Sequence, residues 1–278
     1  MRIATHNVEI GGFTSYKDHE TKQPPRLEAL QAAVSTINAD VVGLTDTFRW
    51  HEIYTNPDLG AIFEYPYATA IPLNDVTMGR SGQSMGLTIL SRRELIRPAA
   101  FSLGERDALH TGIELDDGEI LSLFTAYLHH AREAKRVTQA IALASLARMR
   151  TGTLERTIAL GDFNTVSRAD RAARFGRALR FLPFTPQEGL IADGVGVLQG
   201  EAYQSLMEAG FTDANTNRAP TWPTPRFRAF GRIAIPPVLR VDHILHSSDI
   251  EASSCEAMHG EVFDAASDHY PLAAEVQP

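Results

Sequence analysis

An aspartate beside a histidine, a second aspartate inside an apolar run and a Gly-Asp-Phe-Asn string closing a strand are the groups of this chain best suited to proton transfer. In Ser267-Asp268-His269-Tyr270-Pro271 the imidazole can give or take a proton near neutral pH, provided a further carboxylate fixes its tautomer. Asp242, within Arg240-Val241-Asp242-His243-Ile244-Leu245, is a candidate for that carboxylate. A buried carboxylate needs a partner, and either the histidine or a salt-bridged arginine would serve. In Leu160-Gly161-Asp162-Phe163-Asn164 alternate side chains of an extended backbone share a face, so Asp162 and Asn164 converge, one accepting a proton and one donating a hydrogen bond. The same residue types also end strands in plain turns. Asn7 and Asp46 stand at the ends of two further strands. Such oxygen donors suit a hard cation, Mg²⁺ rather than zinc, which takes one or two carboxylates together with water and phosphate oxygens. His129 and His130 follow another strand end; as a tandem pair they point to opposite faces, so at most one reaches the same site.

The elements that must carry these groups are strand-rich and mixed. Leu27, Leu30, Val34 and Ile37 recur at helical steps and predict a helix near 26–38. A second helix over 132–150 has Val137, Ile141, Leu143, Leu146 and Met149 as its inward face, and a third lies near 200–209. Strands are expected at 2–8, 40–45, 61–70, 86–91, 95–103, 108–115, 119–128, 155–160, 240–246 and 271–276, with Asp116-Asp117-Gly118 closing a hairpin. Residues 165–235, rich in Gly, Pro and Arg, form a long functional excursion from what we take as a single domain over 1–278.

Composition narrows the class. The hydrophobic fraction is 44% and the charged fraction 22%, the makeup of a folded globular protein and not of a disordered or fibrous one. With 26 basic against 34 acidic side chains the net charge is −8, which argues against a general polyanion-binding surface but allows a local basic cleft. The single cysteine, Cys255, excludes an internal disulfide and a multi-thiolate zinc site. With no signal-like apolar start and no 18-residue apolar run, a cytoplasmic location without membrane contact is expected.

Taken in chain order, Thr5-His6-Asn7-Val8, Asp40 to Asp46, Met85 to Ser91, Gly161-Asp162-Phe163-Asn164, Val241 to Leu245 and Ser267 to Pro271 resemble the endonuclease/exonuclease/phosphatase superfamily over nearly the whole chain. The resemblance implies an α/β class fold, a four-layered α/β sandwich of two mixed β-sheets packed face to face with helices outside. It implies a hydrolase of phosphomonoesters or phosphodiesters that uses Mg²⁺, with Mn²⁺ as a substitute. By motif match His269 contacts the scissile phosphate, Asp242 orients His269, Asp162 and Asn164 align water and phosphate, and Asn7, Asp46 and Asp268 hold or support the metal. Two positions depart from the family pattern. Asp46 stands where most members have a glutamate, which shortens the reach by one methylene. Ala126-Tyr127-Leu128 stands where many have Thr-His-Leu, so that Tyr127 would donate its phenol proton to the phosphate.

Arginines at 168, 171, 174, 177 and 180 recur every three residues and so wind around a helix instead of lining one side. Arg226, Arg228 and Arg232 precede Asp242, and Trp222 offers a stacking surface; with His130 we take Trp222, Arg226 and Arg228 as substrate contacts. The acidic balance favours a small phosphorylated compound or nucleotide, with a nucleic-acid backbone as the alternative substrate. A reading of another class, a catalytically impaired module that binds phosphate ligands or a protein, would follow if the Asp46 change disabled the metal site.

Overall fold

Short Val-, Ile-, Leu- and Ala-rich runs, covered on both faces, build two six-stranded sheets in the computed structural model. It describes residues 1–16, 18, 20–74, 85–152, 154–167, 170, 199–229, 233–234 and 236–278, with backbone alone at 150, 151, 228, 229, 233 and 234. In the first sheet β1 (Arg2–Asn7) lies parallel to β2 (Val41–Thr45). The strands β3 (Tyr67–Pro72), β4 (Gly86–Ser91), β13 (Glu251–Ala257) and β14 (Leu272–Gln277) complete the order β13-β14-β1-β2-β4-β3. The second sheet holds β5 (Ile96–Ser102), β6 (Asp107–Glu114), β7 (Ile120–Tyr127), β8 (Thr157–Asp162), β9 (Thr212–Asp213) and β12 (Asp242–His246), in the order β5-β6-β7-β8-β12-β9. Its parallel pair is β7 with β8. A small hairpin pairs β10 (Arg228–Ala229) with β11 (Ile233–Ala234).

Alternating side chains divide each sheet between two cores. Ile3, Val41, Ile89 and Leu272 meet Leu109, Leu123, Leu160 and Ile244 in the seam between the sheets. The outward residues Ala4, Val42, Leu44 and Leu90 pack on α1 (Leu27–Ile37), α3 (Asn56–Phe63) and α6 (Glu261–Ala266). A four-residue helix, α2 (Trp50–Ile53), adds Trp50 to the same cluster. On the far side Ala108, Phe124, Ala126 and Leu245 pack on α4 (Glu133–Thr151) and α5 (Glu201–Glu208). The result is the expected four-layered α/β sandwich. The sheets approach closely at Gly43, where a Cβ would lie 2.0 Å from Leu160 Cδ1 and 2.7 Å from Thr125 Oγ1.

Local chemistry explains the helix ends. At α3 the Thr55 hydroxyl accepts from Asp58 N at 3.3 Å, while Thr55 N donates to Asp58 Oδ2 at 2.9 Å, a reciprocal cap. The fully folded-in Glu133 of α4 accepts from the first amides of α5, Glu201 N at 2.7 Å and Ala202 N at 3.0 Å, and from Arg136 Nε at 2.7 Å. A carboxylate there matches the positive end of α5.

Two expectations need correction, and one edge strand gives no signal in the sequence. The strand placed at 61–70 begins only at Tyr67, because Thr55 and Pro57 start a helix that runs to Phe63. The inward face of α4 is made by Ala140, Leu143, Ala144 and Ala147, whereas Ile141 and Met149 are 54% and 78% exposed. Small residues let the helix lie close to the sheet, so the buried stripe is not the stripe of largest apolar side chains. The edge strand β13, Glu-Ala-Ser-Ser-Cys-Glu-Ala, carries no apolar run to announce it, and of its side chains only Cys255 is buried. Within 165–235, residues 201–213 supply α5 and β9, and β9 pairs in the second sheet.

Candidate active site

Register places the reactive groups in one row. Tyr127 on β7 pairs with Asp162 on β8, and Asp162 pairs with Asp242 on β12, so three neighbouring strands present a phenol and two carboxylates at the same level. From the opposing sheet Asn7, last residue of β1, donates its Nδ2 to Asp162 Oδ2 at 2.9 Å. The Ser267–His269 turn before β14 is tied to β1: Ser267 Oγ donates to Asn7 O at 2.6 Å, and His269 N donates to Ser267 Oγ at 3.1 Å. His6, buried and held neutral by a pKa that burial lowers to about 4, donates Nε2–H to His269 O at 3.1 Å.

So positioned, His269 sets Nδ1 at 2.9 Å from Asp242 Oδ2, which answers the partner question for Asp242 in favour of the histidine. Its Nε2 lies 4.0 Å from Asp162 Oδ2 and 3.9 Å from Asp268 Oδ1. Polar atoms of Asp162, Asp242 and His269 fall within 4.8 Å of one another, all buried. Burial by itself would lower the imidazole pKa; the Asp242 charge and hydrogen bond, with Asp268 and Asp162, overcome this and lift it to about 10. The ring is therefore an imidazolium at neutral pH. Burial, followed by the adjacent Asp242 charge, raises Asp162 above the usual carboxylate range, against the pull of His269 and of hydrogen bonds from Asn164 N and Asn7. A carboxylate so raised is a better proton acceptor.

Asp46 follows β2 at φ 58°, 3% exposed. Burial pushes its carboxyl to about 7, opposed by donors from Ile10 N and Tyr16. Among the described residues one of its oxygens, Oδ1, is buried without a hydrogen-bond partner, as is Oδ1 of Asp242. Unpaired buried carboxylate oxygens call for a positive partner, and a hard cation is the one that oxygen donors suit. The Tyr127 phenol, buried and near the Asp46 and Asp162 charges, is held well above its usual pKa and stays a donor.

Two details differ from the sequence reading, and two substrate-contact candidates find partners. Asp162 and Asn164 do not share a strand face: Asn164 turns to φ 49°, its N–H donates to Asp162 Oδ1 at 2.9 Å and its Nδ2 to Leu128 O at 3.1 Å. The His129 and His130 rings do not diverge but stack at 5.2 Å and 12°, because the chain has already left β7. Trp222 Nε1 donates to Asp268 Oδ2 at 3.4 Å, which places the indole beside the candidate ligands. Arg226 Nε is 2.6 Å from Glu9 Oε2, a carboxylate it shares with Arg26 at 3.1 Å, so its charge is compensated at the mouth. The Arg228 side chain and arginines 168, 171, 174, 177, 180 and 232 lie outside the described residues.

Residues that the sequence did not single out include Arg106, fully buried, which donates to Tyr127 O at 3.1 Å and Leu128 O at 2.7 Å and lies 4.5 Å over the Tyr127 ring. Its Nη2 is 3.2 Å from His130 Nδ1. Thr221 is another: its hydroxyl accepts from Asp242 N at 3.2 Å. A charged residue one position before a buried strand was the available signal for Arg106; a lone threonine in a loop gives none.

The profile of the Endonuclease/Exonuclease/phosphatase family matches residues 4–269, and the chain belongs to that family. The fold is similar to that of a mannosyl-6-phosphatase from Bacteroides thetaiotaomicron, with a TM-score of 0.63, 15% identity, and 100% of this chain and 99% of that one covered. A 3'-5' exonuclease from Neisseria meningitidis has a TM-score of 0.64 and 18% identity, covering 99% of each chain. An AP endonuclease from Archaeoglobus fulgidus gives 0.64 and 17%, covering 99% of this chain and 98% of its own. No curated protein matches the sequence. Members of the family are hydrolases, phosphatases and nucleases among them, and generally depend on a divalent metal.

Proposed function

We propose that this protein is a Mg²⁺-dependent phosphoester hydrolase, with Mn²⁺ as a substitute, acting on a small phosphorylated compound or a nucleotide in the cytoplasm. The observation that carries this reading is the buried His269–Asp242 pair at 2.9 Å, set beside Asp162. Asn7, Asp46 and Asp268 are the residues that would hold the cation. When bound, it neutralises charge on the phosphate oxygens, which is most of what phosphoryl transfer needs. The protein's own groups do the rest. Asp242 keeps the proton on His269 Nδ1, leaving the Nε2–H to donate to a phosphate oxygen. Asp162, oriented by Asn7 Nδ2 and Asn164 N–H, accepts the proton of the attacking water. Tyr127 donates its phenol proton to the phosphate as a hydrogen bond. The small-substrate preference rests on compensated charge: Glu9 already engages Arg26 and Arg226 at the mouth. No described helix is long and apolar enough to cross a membrane.

Turnover of p-nitrophenyl phosphate and bis(p-nitrophenyl) phosphate, with Mg²⁺ or Mn²⁺ and with chelator, tests this directly. Hydrolysis should stop with chelator and in His269→Ala; turnover that ignores both would refute the assignment. Faster cleavage of the diester would move the substrate towards a nucleic-acid backbone.

A further inference from the structure

The two oxygens of Asp46 have different surroundings. Oδ2 accepts two hydrogen bonds, from Ile10 N at 2.8 Å and from the Tyr16 hydroxyl at 2.7 Å. Oδ1 is buried and has no hydrogen-bond partner among the described residues. The Tyr16 hydroxyl is itself placed by packing, because its ring meets Phe48 edge-on at 5.4 Å and 89°, and Phe48 meets Phe13 edge-on at 5.7 Å and 87°. The backbone adds rigidity: Gly11 N and Phe48 N both donate to Asp46 O, at 2.7 Å and 2.9 Å. Two donors on one oxygen fix the rotation of a short carboxylate and make that oxygen a poor second ligand.

We infer that Tyr16 is a positioning residue that commits Asp46 to single-oxygen ligation of the divalent cation through Oδ1. This rests on the hydrolase reading for the presence of the cation. Without Tyr16 the carboxylate is free to swing or to offer both oxygens, and the site loses its preformed ligand.

The test is Mn²⁺ binding to the full-length chain, followed by calorimetry and by the paramagnetic resonance signal of free Mn²⁺. Tyr16→Phe keeps the ring on Phe48 and removes only the hydroxyl, and should weaken binding roughly 10- to 100-fold, the usual cost of losing a partner that orients a metal ligand. In an Asp46→Asn background the same change should alter affinity no more than about twofold, the scatter of independent substitutions, because Tyr16 acts through Asp46. Undiminished Mn²⁺ affinity in Tyr16→Phe, or an equal loss in both backgrounds, overturns the role, as does a drop in melting temperature without a change in Mn²⁺ affinity. Absence of Mn²⁺ binding in the wild type also overturns it. If Mn²⁺ binds and Tyr16→Phe weakens it while neither nitrophenyl ester is cleaved, the positioning role stands and the hydrolase reading falls.

Discussion

Replacing Asp242 by asparagine removes a charge and keeps a shape. The amide oxygen can still accept from His269 Nδ1, so the ring orientation survives, but the Asp242 charge, the largest of the influences that raise its pKa, is gone, and the remaining hydrogen bond ends on a neutral acceptor. His269 sits at about 10, against about 6.5 for a free histidine, a net preference of about 5 kcal/mol for the charged ring that Asp242 first, then Asp268 and Asp162, produce against the opposing effect of burial. Loss of positioned proton donation typically costs ~10²- to 10⁴-fold in rate, or about 3 to 5 kcal/mol, a range that this preference can supply. The expected outcome is a fall of that size in kcat for p-nitrophenyl phosphate at saturating Mg²⁺. The His269 ring nitrogens, followed by NMR, should titrate at lower pH than in the wild type. A loss under about tenfold with an unchanged titration would refute the argument, since geometry alone would then account for the pair.

Tyr127→Phe should lower kcat roughly 10- to 100-fold, the worth of a hydrogen bond to a charged group, with little change in melting temperature; an unaltered kcat removes the phenol from the mechanism. Gly161→Ala should abolish soluble, folded protein, because its Cβ would lie 1.9 Å from Ala126 O at a φ of 142°; a normal melting curve would show that β7 and β8 can separate there. His6 is depressed to about 4 when folded and returns to about 6.5 when unfolded, so the unfolded chain takes up the proton first. The His6 contribution to stability is complete above pH 6.5 and falls by about 3 kcal/mol as pH drops towards 4. Urea melts of the metal-free protein should show a flatter acid limb in His6→Phe, and an identical limb would exclude His6 as its source.

The sheets and long helices were legible because burial on both faces leaves apolar runs, as in Val41–Thr45 and Thr157–Asp162. Asp242 was legible for the opposite reason, a charge where the pattern demands none. What escaped is what periodicity cannot carry. The β13 edge is polar, α4 docks through alanines, and Asn164 leaves the strand at a positive φ that its residue type allows but does not announce. Tyr16 and Arg106 lie far along the chain from Asp46 and Tyr127, and only the folded contact reveals that they meet.

The reactive row draws on both halves of the sandwich: Asn7 and His269 come with one sheet, Asp162 and Asp242 with the other, and two hydrogen bonds bridge them. The chemistry thereby acts as a gauge of how the slabs are stacked. Any side chain that wedges them apart, for instance a methyl group at Gly43 pressed against Leu160, would silence the enzyme from a distance without touching a reacting atom.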